Sequence, residues 1–249
     1  MEHKNHRMLE KALDILEFAA NSPEGAGLAE ISEKLGIPKS SAHILLGTLA
    51  DRGYLQKKSD GVFSVGIKAF EVGSKFVDGN DFYFYSRQVL EELVNAVDET
   101  AHAAVLDGTD VVYLNKFECR HAVRMVSSVG KRIPAHATAI GKALLALKTD
   151  EEIRALYQGR VMEKLTENTI TDLEELLAQL DEVRRTGFAI EKEESTFGVE
   201  CIAVATSNRA GSVSMGISVS IPLLRQTEPG MDAFRRPLCE AKEKMRIVL

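Results

Sequence analysis

The sequence predicts an α+β protein built as two domains, and three observations carry that reading. Up to Gly53, apolar side chains recur at helical spacing in three short blocks, each closed by a glycine or a Ser-Pro break. Two short strand-like runs joined by a tight turn follow, and beyond about residue 98 strand-like and helical runs alternate to the end of the chain. A length of 249 residues, 45% of them hydrophobic and 27% charged, is enough for two modest cores.

Between Arg7 and Asn21, Met8, Leu9, Ala12, Leu13, Ile15, Leu16 and Ala19 fall at helical spacing, and Ser22 and Pro23 stop the pattern. Leu28, Ile31 and Leu35 predict a second, short helix closed by Gly36. Pro38 opens a third, because the N–H it lacks would have no intrahelical partner in a first turn. Ala42, Leu45, Leu46 and Leu49 form the buried stripe of that helix, and Gly53 ends it. Residues 54–56 and 62–65, joined by Ser59, Asp60 and Gly61, read as a hairpin, so the whole makes a winged helix-turn-helix. Gly66 to Asp78 is helical in pattern, and a further helix is expected at about 82–98. The domains are therefore set at 1–74, a linker and linker helix at 75–90, and 91–249. In the last of these, strands are expected at 101–106, 111–115, 122–127, 188–191, 201–206 and 213–220. Helices are expected at 138–148, 150–158, 172–186 and about 228–247, packed on a largely antiparallel sheet.

The net charge is −6, and residues 1–80 hold only −1 of it. Nucleic-acid affinity depends on where cations stand relative to phosphates, so a near-neutral N-terminal domain remains compatible with binding DNA. No apolar run approaches the roughly 20 residues that span a bilayer, and the N-terminus lacks the apolar core of a secretory signal. A cytoplasmic protein without membrane contact is expected. Cys119, Cys201 and Cys239 are odd in number and lack CxxC spacing, which argues against a disulfide framework and a cysteine zinc site.

In the third helix, Ser40, His43, Ile44 and Gly47 lie at i, i+3, i+4 and i+7, opposite the leucine stripe. That face suits a major groove. Ser40 and Ser41 can donate to phosphates or bases, His43 can hydrogen-bond either, Ile44 can pack on a thymine methyl, and Thr48 extends the set. Lys39, Arg52, Lys57 and Lys58 flank it as phosphate neutralisers. Winged helices also serve protein contacts, so spacing alone leaves an interaction module open.

Leu35 to His43, followed by Leu45-Leu46, Thr48-Leu49, Gly53-Tyr54-Leu55 and the Phe63-Ser64-Val65-Gly66 of the wing, resembles the N-terminal domain of IclR-family transcriptional regulators. Residues 130–146 and 193–204 are similar to two further segments of that family, so the likeness spans roughly 7–247 in the right order. It implies a GAF-like α/β effector-binding domain, a duplex operator with an inverted repeat, a small organic-acid or aromatic-acid effector, no cofactor, and a homodimer or dimer of dimers. By the same likeness Ala122, Met125 and Ile133 are apolar walls of the effector site, Ala139 and Ile140 an amide cradle, and Glu191, Cys201, Ser218 and Ser220 polar contacts. One departure stands out: relatives commonly carry arginine where this chain has Ile44, so an operator contact is lost here.

The residues make physical sense of that site. Thr138, Ala139 and Ile140 begin a helix after Pro134, Ala135 and His136, so their amides and the positive end of the helix dipole suit a carboxylate. Ser218 and Ser220, two apart on a strand, point the same way. Glu191 suits a ligand hydroxyl or a water better than an anion. Blander readings stand beside these: Cys201 as core, the two serines as solvent-facing, and Glu193 and Glu194 on a solvated face. An enzyme finds poor support, since residues 211–216 are not GxSxG and residues 140–143 lack the spacing of a phosphate loop. Cys119, His121, His102 and His136 do not pair at metal-ligand spacing, and no metal is expected. The alternative function is a small-molecule-binding or metal-binding sensor acting through protein contacts, or an enzyme using the C-terminal pocket.

Overall fold

The computed structural model of the chain describes residues 6–78, 81–121, 127–208, 214–226 and 230–248. They form two compact units, 1–80 and 81–249. In the first, the helices are α1 (Arg7–Ala20), α2 (Leu28–Lys34), α3 (Lys39–Asp51) and α4 (Ile67–Asp78), with strands β1 (Ala26–Gly27), β2 (Leu55–Lys57) and β3 (Val62–Val65). The strands pair antiparallel in the order β1-β3-β2, with Ala26 opposite Phe63. β1 escapes a reading of periodicity because two residues carry no period. Ile15, Ala19, Ile31, Ala42, Leu46, Leu55 and Phe63 close the core. Met8, Leu9 and Leu13 of α1 lie on its exposed side instead. α4 buries none of its residues, and Ile67, Phe70 and Val72 are more than half exposed.

The second unit holds α5 (Asp81–Val97), β4 (Thr100–Asp107), β5 (Asp110–Phe117), β6 (Arg132–Pro134), α6 (Ala139–Leu145), α7 (Asp150–Tyr157), α8 (Leu173–Thr186), β7 (Ala189–Lys192), β8 (Val199–Ser207), β9 (Ser214–Pro222) and α9 (Asp232–Val248). The strands make one antiparallel sheet in the order β6-β5-β4-β9-β8-β7, so β6 and β7 are its edges. Side chains of a strand alternate between faces, and the two faces carry different helices. Ala104, Val111, Tyr113 and Ala203 pack with Ile140 and Leu144 of α6, Ile153 of α7 and Leu176 and Leu180 of α8. Ile202, Val204, Ile217 and Val219 pack with Leu90 and Leu93 of α5 and Leu238 and Met245 of α9.

One expectation needs correction. Residues 81–90, expected in the linker, belong to α5 and the second unit: Ser86, Val89 and Leu90 are buried, and Asn115 Nδ2 donates to the Tyr83 carbonyl and to Ser86 Oγ, both at 2.7 Å. The strand expected at 122–127 falls, but for Ser127, outside the described residues. A short edge strand that the sequence did not announce, β6, has three residues that include Pro134 and so show no alternation.

Candidate nucleic-acid interface and ligand pocket

α3 buries Ala42, Leu45 and Leu46 and leaves the opposite side bare. Lys39, Ser40, His43, Ile44 and Thr48 are exposed on it, as are Arg52, Lys57 and Lys58 beyond its end, while Ser41 is half-buried. Pro38 caps α3 without a side-chain hydrogen bond, which leaves first-turn amides of the helix open to an acceptor. The polar groups are not all free: Thr48 Oγ1 donates to the Ile44 carbonyl at 2.9 Å, and Lys58 Nζ donates to the Glu24 carbonyl at 3.0 Å. Lys57 Nζ rests 5.8 Å from the centroid of the Phe63 ring, held at the wing. Ile44 is 63% exposed, an apolar side chain kept in water on the face that would read a groove.

The second set of candidates gathers on the α6 face of the sheet. Ser218 and Ser220 are both buried there, with Ser218 opposite Ala203 and Ser220 opposite Cys201 across β8. Cys201 Sγ donates to Ser220 Oγ at 3.3 Å, and burial pushes the thiol well above its usual range, so it stays protonated. Glu191, opposite Cys201 on β7, is buried as well. Its two oxygens accept from the Glu194 amide at 2.9 Å and from Ser195 Oγ at 3.1 Å, and burial raises its pKa. A carboxyl group held towards its neutral form repels a bound anion less than a free glutamate would.

Close packing brings the start of α6 onto this face. A Cβ on Gly216 of β9 would lie 2.5 Å from Ile140 Cγ1, and one on Gly141 would lie 2.2 Å from the Ala135 carbonyl oxygen. Only glycine permits those approaches. Thr138 Oγ1 caps α6 by accepting from the Gly141 amide at 3.0 Å. The Thr138 amide, expected in the cradle, donates instead to the Ala135 carbonyl at 3.3 Å, which leaves Ala139 and Ile140 as the amides without a partner among the described residues. Ile133 packs against the same apolar cluster. Ala122 and Met125 lie outside the described residues.

Side chains that the sequence did not assign to this site complete the picture. Lys142, the third residue after Ala139, is 1% exposed, and its Nζ donates to Glu194 Oε1 at 2.5 Å and Gln179 Oε1 at 2.7 Å. Glu194, expected on a solvated face, is therefore buried, because the turn after β7 folds its carboxylate onto α6. His102 of β4 is buried and stacks on Tyr113 of β5. Among the described residues, no three His, Cys, Asp or Glu side chains come together as a metal site, and no helix is long and apolar enough to cross a membrane.

Comparison with known proteins matches residues 8–59 to the IclR helix-turn-helix domain. Residues 75–246, more than half the chain, match the family described as bacterial transcriptional regulator IclR C-terminal. The chain belongs to the IclR family. It is a DNA-binding transcriptional regulator, of a family whose relatives are named as regulators and not as enzymes. The HTH-type transcriptional regulator KdgR of Escherichia coli is 33% identical over 236 residues, 94% of this chain and 89% of that protein. The crystal structure of the Thermotoga maritima IclR superposes with a TM-score of 0.77 at 28% identity, covering 98% of both chains. An IclR homologue from Microbacterium hydrocarbonoxydans, solved in complex with 4-hydroxybenzoate, shares the fold with a TM-score of 0.77 at 24% identity, over 96% of this chain and 99% of that one.

Proposed function

We propose that this IclR-family regulator reads an inverted repeat in duplex DNA as a dimer or dimer of dimers, in the cytoplasm, and that a small organic or aromatic acid controls the binding. The observation that carries the effector is the strip of buried polar side chains on the α6 face of the sheet. Buried Ser218, Ser220 and Glu191 and half-buried Cys201 sit there against the apolar cluster that includes Ala139 and Ile140, whose amides begin α6. Buried polar groups persist where something pairs with them, and a carboxylate on those amides with its other end over the serines does so. The homologue that holds 4-hydroxybenzoate supports an acid as a ligand this fold accepts. For the operator, one reading helix per chain calls for two chains, and the bare apolar sides of α1 and α4 offer surface for a second copy.

The test has two arms. A thermal-shift screen of central-metabolite and aromatic carboxylates finds the ligand, because binding to the native state alone raises stability. Promoter fragments are then titrated with and without that ligand, using the parent and Ala139→Glu. The expected result is a variant that binds DNA as the parent does and no longer responds to ligand. A folded Ala139→Glu that responds at the parental concentration refutes the pocket, and equal affinity for promoter and random duplex at about 150 mM salt refutes the operator reading.

A further inference from the structure

On the face that carries the two serines, His102 stands directly opposite Ser218 across the β4–β9 ladder. Residues opposite each other in an antiparallel pair share a face, so the imidazole belongs to the same polar strip. Tyr113 lies against it, with ring centroids 4.8 Å apart and planes at 28°, and packs in the same cluster as Ala139 and Ile140. His102 is 1% exposed, and its Nε2 is 2.8 Å from Ser127 Oγ. Its Nδ1 is buried and has no hydrogen-bond partner among the described residues. A buried ring nitrogen left unpaired costs free energy, and such a group calls for a partner.

The chemistry of the ring narrows what that partner is. Burial, helped by the positive charge of Lys116, holds the His102 pKa down to about 3, so the ring is neutral at physiological pH. Lys116 itself is engaged by Glu118 Oε1 at 2.7 Å and the Ser127 carbonyl at 2.9 Å. A neutral imidazole forms no ion pair with a carboxylate. It offers one N–H and one lone pair, and the Ser127 hydroxyl suits either tautomer, so Nδ1 is a donor in one and an acceptor in the other. A hydroxyl complements both.

We infer that His102, braced by Tyr113, recognises a hydroxyl group of the effector, which makes the effector a hydroxylated carboxylic acid. This rests on the reading that a carboxylate ligand occupies the α6 face. The carboxylate then takes the amide end of the site, and the hydroxyl lies over Ser218 and His102.

Matched acids test it by calorimetry: lactate against propionate, 3-hydroxybutyrate against butyrate, and 4-hydroxybenzoate against benzoate, which place the hydroxyl at three distances from the carboxylate. The expected result is about tenfold tighter binding of the hydroxylated member of at least one pair. His102→Phe, which keeps a ring to stack on Tyr113, brings that ratio to about one and leaves the deoxy acid within about twofold of its parental affinity. A ratio that survives in His102→Phe, or acids that bind the parent with no such preference, overturns the inference and leaves the pocket standing. If none of the six acids binds, the pocket reading falls with it. Should His102→Phe not fold, ring nitrogens of the ¹⁵N-histidine-labelled parent decide the matter. The His102 Nδ1 resonance must move with the hydroxy acid and hold still with its deoxy partner, and a resonance indifferent to both refutes the inference.

Discussion

Lys142→Met is the perturbation whose cost the structure defines best. It removes a cation that is 1% exposed and leaves the Glu194 carboxylate, itself buried, with one oxygen freed and the other already lacking a partner among the described residues. Breaking a buried ion pair from one side strands a charge at low dielectric, and the expected loss is roughly 3–5 kcal/mol. For a domain the size of the second unit, each kcal/mol lowers the midpoint by about 2–4 °C, so the melting temperature should fall by roughly 6–20 °C. Four of the five tyrosines lie in residues 81–249, so near-ultraviolet circular dichroism follows that unit during the melt. Lys142→Met with Glu194→Leu should recover most of the loss, because replacing both charges by apolar side chains is close to neutral. Urea titrations of the parent, the two single variants and the double then give the coupling energy. A single variant that loses less than about 1 kcal/mol, or a double variant whose loss is the sum of the singles, refutes the buried pair.

Other outcomes are expected from sites already described. Ile44→Arg should tighten binding to DNA and steepen its salt dependence by about one unit of log-log slope, and an unchanged slope shows that this side chain does not face the phosphates. Gly216→Ala puts a Cβ 2.5 Å from Ile140 Cγ1, so α6 must shift; a loss of about 1–3 kcal/mol by urea denaturation is expected, with weaker effector binding, and undiminished affinity for the effector counts against the close approach. His102 bears on acid stability. Below its ordinary pKa of 6.5 the unfolded chain takes up a proton that the folded ring refuses until about pH 3, so stability falls as the pH drops through that window. His102→Phe should flatten the decline, and urea midpoints of parent and variant that fall in parallel between pH 7 and 4.5 refute it.

Local pattern carried the first unit well. α3 was legible because Ala42, Leu45 and Leu46 recur at helical spacing between Pro38 and Gly53, and the same spacing put Ser40, His43 and Ile44 on the outer side. In the second unit, the two-residue period of a strand placed Ser218 and Ser220 together, but not which strands flank them. Register across a sheet is set by contacts distant in sequence, so nothing near His102 announced that it would meet Ser218. Lys142 and Glu194 illustrate the same limit. Each is a charged residue in a polar stretch, which ordinarily means solvent, and only a turn 52 residues away makes them a pair. α1 shows the opposite case, a helix legible from spacing whose Met8, Leu9 and Leu13 have no core beside them.

The two units also differ in when their chain segments become available during synthesis. Every pairing in the first lies within its own 80 residues. In the second, β4 pairs with β5 directly after it but cannot find its other neighbour until β9 exists, Thr100 being opposite Ser220, and α5 waits for α9, which ends at Val248. Loop closure over such separations is slow, and the unpaired edge of β4 and the apolar side of α5 remain uncovered meanwhile. On a ribosome, the groove-reading unit can therefore be complete while the sheet below α6 is still open, and a chain that stops short of residue 232 has the first without the second. Nascent or prematurely ended copies would then hold a finished winged helix beside an open sheet edge, whose uncovered apolar surface favours aggregation.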